Sequence, residues 1–459
     1  MKKIINISLI VLLSSCSLYS EEKSPKADYE KWAEAEINAK GRADIEWWNN
    51  YNDSTLKKLI EKAKENNFDI KIAKTRIVQS RANANKVIGD NLPNIDLINN
   101  ANRRKDSTTL ADRPILRKFS NNYRSELDAT WEVDIFGIEP AIRASEADIA
   151  KNKENLSSVQ IALFGDVANN YFDYRKFEKQ SEIENRKLAE LNKKLSLLLD
   201  LERAGRVDAS QIEDARIRIA DTKTNLTNIN NNLKQQQFTL ESLVGVKPNS
   251  LKDLLSEKQN NIAISPKILV SAPAEILSNR PDVRLAEREL AYSNALKDVA
   301  ITDLFPRISI GGVLGYESGR ESLLIDPKSE VFRLSGGLIA PIFNYNRIKS
   351  NIMEADAKAK EALINYEKTL NNALIDVEGG FVSYKASLDN LISNKSAFNS
   401  SKSRVLLEQE KFNKGLTNYV AVADAKIIEL DNQVKLDNAN FESLKQSVKL
   451  YKALGGGWI

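Results

Sequence analysis

The chain has 459 residues, with 67 basic and 63 acidic side chains and a formal net charge of +4. A balance that even gives no reason to expect a nucleic-acid partner. The complete lack of histidine removes histidine-based acid–base catalysis, histidine triads and histidine-ligated metals. Eleven prolines, 7% aromatic and 28% charged residues favour long solvated helices over a compact α/β enzyme.

Residues 1–15 read as a signal peptide. Lys2-Lys3 is a positive start, and the apolar run from Ile4 to Leu13 is too short to span a bilayer. The run ends in Leu13-Ser14-Ser15-Cys16, similar to a bacterial lipobox, which implies cleavage before Cys16 and lipidation of that residue. Cys16 is the only cysteine in the chain, so no intrachain disulfide can form. No later run is long and apolar enough for a transmembrane helix.

Two halves of the chain repeat each other in order. Asn67-Phe68-Asp69-Ile70 lines up with Arg280-Pro281-Asp282-Val283, Leu92-Pro93 with Phe305-Pro306, Glu213-Asp214-Ala215 with Ala423-Asp424-Ala425, and Leu243-Val244-Gly245 with Ala453-Leu454-Gly455. The expected repeats are 54–246 and 274–455. They follow a lipidated segment at 16–53, are joined by a linker at 247–273, and are closed by a tail at 456–459.

Each half is expected to open with a helix, Ser54 to Gly89 and Ala274 to Asp303, stopped by Pro93 or Pro306. Two strand-like runs with alternating polarity follow: Asn94–Arg103 and Tyr123–Phe136 in the first half, Arg307–Tyr316 and Glu330–Phe343 in the second. A very long helical region comes next, Pro140 to Arg203 and Asn346 to Asn413, of about 90 Å if continuous. A glycine turn at Gly205 or Gly415 leads into a closing helix. In the second half that helix carries a heptad seam through Leu416, Val420, Ala423, Ile427, Leu430, Val434, Phe441, Leu444, Val448 and Tyr451, interrupted at Asp437. In the first half the seam is Ile212, Ala215, Ile219, Leu226, Ile229, Leu233, Leu240 and Leu243. Asn225, Asn228, Asn231 and Asn232 lie beside it, facing either a wet lumen or solvent.

Four strands of about ten residues are a fragment of a transmembrane barrel. They cannot close a barrel with a usable lumen, and an open edge cannot sit in lipid. Oligomerisation resolves this: three chains give twelve strands. A pore-free coiled-coil scaffold of the periplasm is the reading from another class.

Trp131-Glu132-Val133-Asp134-Ile135-Phe136-Gly137, Asn279-Arg280-Pro281-Asp282-Val283, Phe305-Pro306, Pro341-Ile342-Phe343 and the ending Leu454-Gly455-Gly456-Gly457-Trp458 carry a resemblance over nearly the whole mature chain. The chain resembles the lipoprotein branch of the TolC-like outer-membrane efflux family. The resemblance implies a mainly α fold with a transmembrane β-barrel: a trimer with four strands per chain, a twelve-stranded barrel and a twelve-helix periplasmic tunnel. It implies a passive, non-enzymatic outer-membrane channel of a tripartite efflux system. The partners implied are a periplasmic membrane-fusion adaptor, an inner-membrane transporter of RND type and outer-membrane lipid. The duct of a type I protein secretion system is the neighbouring alternative. No cofactor is expected beyond the covalent lipid of Cys16, an S-diacylglycerol and an N-acyl group.

The resemblance also assigns residues. Asp424 aligns with the family's gate acid at the periplasmic tip, where three like charges on an axis would favour cations. Val420 aligns with an apolar ring, and Asp214 is the repeat mate of Asp424. Where the family carries Gln-Arg two and three residues after the acid, this chain has Lys426 and Ile427, so an arginine latch is not available. Arg203, Ala204, Gly205, Lys414, Gly415 and Leu416 fall at the tip expected to dock the adaptor. Arg103, Arg104, Lys105, Arg113, Arg117 and Lys118 form a basic loop expected to face outside.

Overall fold

The computed structural model describes residues 32–33, 45–105, 119–257, 266, 268 and 273–457. Cys16, Arg113, Arg117, Lys118 and Trp458 lie outside them. The first half runs α1 (Ser54–Asn66), α2 (Phe68–Asp90), β1 (Asn94–Arg104), β2 (Ser120–Val133), α3 (Ile138–Arg203) and α4 (Ala209–Val244). After a short helix α5 (Lys252–Ser256), the second half runs α6 (Pro273–Asn279), α7 (Pro281–Thr302), β3 (Arg307–Ser318), β4 (Glu330–Ile339), α8 (Tyr345–Asn413) and α9 (Tyr419–Ala453).

The opening helix of each half is in two pieces where one was expected, and the break falls on repeat mates. Asn67 accepts from the amides of Asp69 and Ile70 and donates to the Leu243 carbonyl at 2.8 Å, ending one helix and capping the next. Its mate Arg280 precedes Pro281, whose ring disfavours the helical conformation in the residue before it. β4 stops at Ile339, short of the expected Phe343. Asn418 caps α9 through the Ala421 amide, so the closing helix starts at Tyr419. Leu416 therefore sits in the preceding turn, 74% exposed, and is not a seam residue.

Two compact units emerge, each drawn from both halves: one gathers Arg76–Asn152 and Ala286–Tyr366, the other contains Lys153–Leu285 and Glu367–Ile459. The first holds the sheet, antiparallel in the order β1-β2-β3-β4. Its register gathers the large apolar side chains in two central rows of one face and most charges on the other, where Ile98, Val313 and Val331 also lie. One face carries the rows Ile95-Ala129-Gly312-Leu334 and Leu97-Leu127-Leu314-Phe332, with Trp131 toward one end and Tyr123 and Tyr316 toward the other. Asp96, Asp128, Arg333, Glu126, Arg124 and Glu317 occupy the opposite face. Leu97, Leu127, Leu314, Phe332 and Leu334 are all exposed in the single chain. From Trp131 to Tyr123 the strand covers about 27 Å. No helix among the described residues is long and apolar enough to cross a membrane.

The second unit holds the paired helices. Its core is aromatic at one end: Trp47, Trp48 and Tyr51 precede α1 and are buried against Tyr451 of α9 and Phe164 and Phe172 of α3. Of the expected α9 seam, Ala423, Ile427, Leu430, Phe441, Leu444, Val448 and Tyr451 are buried, and Val434 is half-buried. On α4, Ile212, Ala215, Ile219, Leu226 and Leu240 are buried, while Ile229, Leu233 and Leu243 are half-buried.

Candidate functional site: the paired helices and their hairpin tips

The two hairpin tips have the same construction. Gly205 and Gly415 adopt positive φ, +67° and +70°, a conformation open to glycine without steric cost. In each turn the glycine amide bonds three residues back, to Glu202 or Phe412. The next amide reaches five back, to Leu201 or Lys411, closing the free carbonyls of the preceding helix. Asp208 caps α4 as Asn418 caps α9. Arg203, Ala204, Gly205, Lys414, Gly415 and Leu416 are all exposed on these turns. Arg203 pairs with Asp200 of its own helix, at 3.1 Å.

Above the tip, Val420 packs beside the buried Leu198, Ile212 and Ala215 of α3 and α4. Asp424 accepts from Lys194 of α3 at 2.6 Å. Asp214 is exposed on α4 and is not brought into the Lys194–Asp424 pair. Ile427 is buried with Leu191 and Ile219 where α3, α4 and α9 meet. Lys426 lies 3.5 Å from Glu190 of α3 and donates to the Tyr419 hydroxyl at 3.2 Å. Lys193 donates to the same hydroxyl at 2.7 Å, and this bond, ahead of an opposing burial effect, holds the Tyr419 phenol below its usual pKa. Burial works against the Lys426 ammonium, but Tyr419 and Glu190 outweigh it and raise its pKa.

Lys194–Asp424 is the last of five rungs between α3 and α9. The others are Lys452 to Asp166 at 3.1 Å, Lys445 to Asp173 at 3.0 Å, Gln180 to Asn438 at 2.7 Å, and Lys187 to Asp431 at 2.6 Å. Each rung lies seven residues further along α3 and seven back along α9, the spacing at which one helix edge returns to itself in a coiled coil. The charges invert halfway. Along α3 the order is acid, acid, amide, lysine, lysine; α9 supplies the opposite charge at every charged rung. Sequence reading found Asp424 through its flanking motif and missed the other four rungs. The heptad series Asp424, Asp431, Asn438, Lys445, Lys452 was the available signal.

Two buried acids flank the amide rung. Asp437 is 8% exposed; burial raises its pKa, Lys179 and Arg186 pull it back, and Glu182 adds to the rise. Burial likewise raises Glu184, against Lys187 and with Asp431. Asp437 is thus a buried carboxyl at the seam, within the influence of Lys179 and Arg186 of α3. Among the described residues no group of three or more acids and cysteines could hold a metal.

At the other end of α9, Arg280 is buried and donates to the Ala453 carbonyl at 2.7 Å and the Ala373 carbonyl at 3.3 Å. It also pairs with Asp282 at 2.6 Å and Asp376 at 3.2 Å.

A sequence model of the outer membrane efflux protein family matches residues 59–246 and 272–456. The chain is 29% identical over 413 residues to the toluene efflux pump outer membrane protein TtgI of Pseudomonas putida, covering 89% of this chain and 86% of that protein. It is 24% identical over 466 residues to the probable outer membrane lipoprotein SilC of Salmonella typhimurium, covering 100% and 99%. Among solved structures, the outer-membrane channel OprN superposes with a TM-score of 0.86 at 25% identity, over 96% of this chain and 100% of that one.

Proposed function

This chain belongs to the outer membrane efflux protein family and is the outer-membrane channel of a tripartite efflux system; we propose that it works as a closed ring of three copies. The observation that carries this is the sheet. One face carries two apolar rows between Trp131 and Tyr316, the other carries the charged residues Asp96, Asp128, Arg333, Glu126, Arg124 and Glu317, and β1 and β4 are the edge strands of the sheet among the described residues. In hydrocarbon an unpaired edge costs several kcal/mol per group, so the strands must close on copies of themselves. Three sheets of four strands give twelve, with the apolar face to lipid and the polar face to a wet lumen.

The four long helices of each chain then extend the conduit into the periplasm. The exposed turns at Gly205 and Gly415 present a docking surface for a periplasmic adaptor, which couples the conduit to an inner-membrane transporter. Cys16 supplies a lipid anchor in the outer membrane; the likeness to a probable lipoprotein supports this. The chain conducts passively, and its partner pump selects and drives the cargo.

Two measurements on the purified, detergent-solubilised protein test the reading. Mass by light scattering is expected to give three chains, and a planar bilayer is expected to show discrete single-channel conductance. A monomer that neither inserts nor conducts would return the chain to a pore-free scaffold.

A further inference from the structure

A cavity of about 460 Å³ opens beside the C-terminal end of α9, lined also by α3, the start of α7 and α8. All of its lining residues belong to one compact unit of the chain. Its size falls within the range of small-ligand sites, which combine apolar walls with a few convergent polar groups. Ile161 of α3 and Pro281 of α7 supply apolar wall. Four cations, Arg280, Lys445, Lys449 and Lys452, line it together with two acids, Asp282 and Asp376.

The internal duplication separates packing from charge here. Asp424 follows Asp214, and Gly455 follows Gly245, by 210 residues. At that spacing Leu450 falls on Leu240, and both are fully buried, so the core of the closing helix repeats. The cations do not. Lys445, Lys449 and Lys452 fall on Gln235, Thr239 and Ser242, and Arg280 falls on Asn67. The first half therefore builds the corresponding junction without a cation at any of these four positions.

Three of the four cations are committed. Lys445 meets Asp173 at 3.0 Å and Lys452 meets Asp166 at 3.1 Å, while Arg280 holds Asp282 and Asp376. Lys449 is exposed and has no ion-pair partner among the described residues. Spacings of four and three residues put it between the other two lysines on one helix face, where like charges repel. Three lining side chains also hold buried atoms with no hydrogen-bond partner among the described residues: Ser158 Oγ, Asn169 Oδ1 and Gln446 Oε1. Buried polar atoms are nearly always paired, so each calls for a partner. The Gln446 amide nitrogen donates to Glu442 at 2.7 Å, which fixes its oxygen as an acceptor. An oxyanion for Lys449 and a hydroxyl for Gln446 describe one kind of ligand. We propose that this cavity binds a small hydroxylated organic anion, with its oxyanion on Lys449, a hydroxyl donating to Gln446, and Ser158 and Asn169 as further hydroxyl partners. The site lies within one chain and does not rest on the ring of copies.

Titration calorimetry on the full-length protein in detergent tests it, with gluconate as the carboxylate probe and glycerol 3-phosphate as the phosphate probe. At least one of them is expected to bind saturably, and at least about tenfold more tightly than acetate or glucose, each of which carries half of the chemistry. Lys449→Ala is expected to weaken that probe at least about tenfold, and Lys449→Arg to retain it. Lys449 is exposed, so both variants should melt as wild type does. Gln446→Leu is expected to weaken the hydroxylated probe and leave acetate unchanged. Bound probe should also protect Lys449, but not the exposed Lys435, from chemical acetylation read by mass spectrometry. The tighter of the two probes identifies the oxyanion as carboxylate or phosphate. Binding of neither probe, binding to Lys449→Ala as tight as to wild type, or acetate as tight as the hydroxylated probe overturns the site. A trimer that binds neither probe keeps the ring and loses the site; a monomer that binds one through Lys449 keeps the site and loses the ring.

Discussion

Lys194 donates to Asp424 at 2.6 Å, so the acid aligned with the family's gate is already neutralised inside its own chain. Both side chains keep some solvent, 14% and 38%, which limits the pair to a coupling energy of about 0.5–1 kcal/mol. Removing one partner should therefore matter more for local charge than for stability. Lys194→Ala is expected to expose the carboxylate and raise cation selectivity of the conduit. Asp424→Ala is expected to leave an ammonium and lower it, and the double variant to lie near wild type. Reversal potentials in a salt gradient give all three values. Selectivity indifferent to both single variants would place the pair away from the conducting path.

The order of elements and the duplication are legible in the sequence because proline stops, glycine turns and apolar spacing are local signals. Asp424 is legible because its neighbours are distinctive. The lysine that meets it is not, since Lys194 lies 230 residues away on a different helix and reads alone as a solvated charge. Val420 shows the converse. Its alignment points toward a pore, and its side chain packs into the cluster around Leu198, Ile212 and Ala215. Where an arginine latch was unavailable, Ile427 is buried and Lys426 turns to Glu190 and Tyr419.

The polarity of the sheet faces makes a paired prediction. Leu314 lies in the central apolar row and Asp128 on the opposite face, and both strands continue through both residues without a bulge. Leu314→Arg is expected to cost about 2–4 kcal/mol of membrane insertion, seen as loss of protein from the outer-membrane fraction. Asp128→Asn is expected to insert normally and change only conductance or selectivity. Equal insertion by both variants would mean that the face containing Leu314 does not meet lipid.

Asp437 gives a pH dependence of defined sign. Its folded pKa is raised, chiefly by burial. The folded state is therefore favoured when the acid is protonated: the contribution is complete below the ordinary carboxylate pKa of about 3.9 and is lost as pH rises through the elevated folded value. Asp437→Asn is expected to unfold at a higher temperature than wild type at pH 7.5, with the gap closing toward pH 4. Lys179, Arg186 and Glu182 remain in place in both proteins, so the difference between the two curves isolates Asp437. A gap that does not change with pH would mean that the carboxyl is not held in its protonated form by the fold.

Asn67 and Arg280 do the same task in the two halves with different chemistry. Each is the repeat mate of the other, and each donates to the last turn of a closing helix, Asn67 to the Leu243 carbonyl and Arg280 to the Ala453 carbonyl. Close packing accompanies both bonds: a Cβ on Gly245 would come within 2.6 Å of the Asn66 carbonyl, and one on Gly455 within 3.0 Å of Arg280 Cγ. Asn67 also caps α2, so Asn67→Ala is expected to cost about 1–2 kcal/mol. Arg280 serves two carbonyls and two carboxylates at once. Lysine keeps the charge but lacks the planar fork, so Arg280→Lys should lose at least one buried bond to a charged donor, about 1.5–3 kcal/mol. Thermal unfolding in detergent orders the variants, with Arg280→Lys below Asn67→Ala and both below wild type. Limited proteolysis at the end of α9 should rise for Arg280→Lys alone, because Asn67 holds the other closing helix. An Arg280→Lys protein as stable as wild type would show that the Asp282 and Asp376 pairs, which an ammonium can keep, fix this junction without the carbonyl bonds.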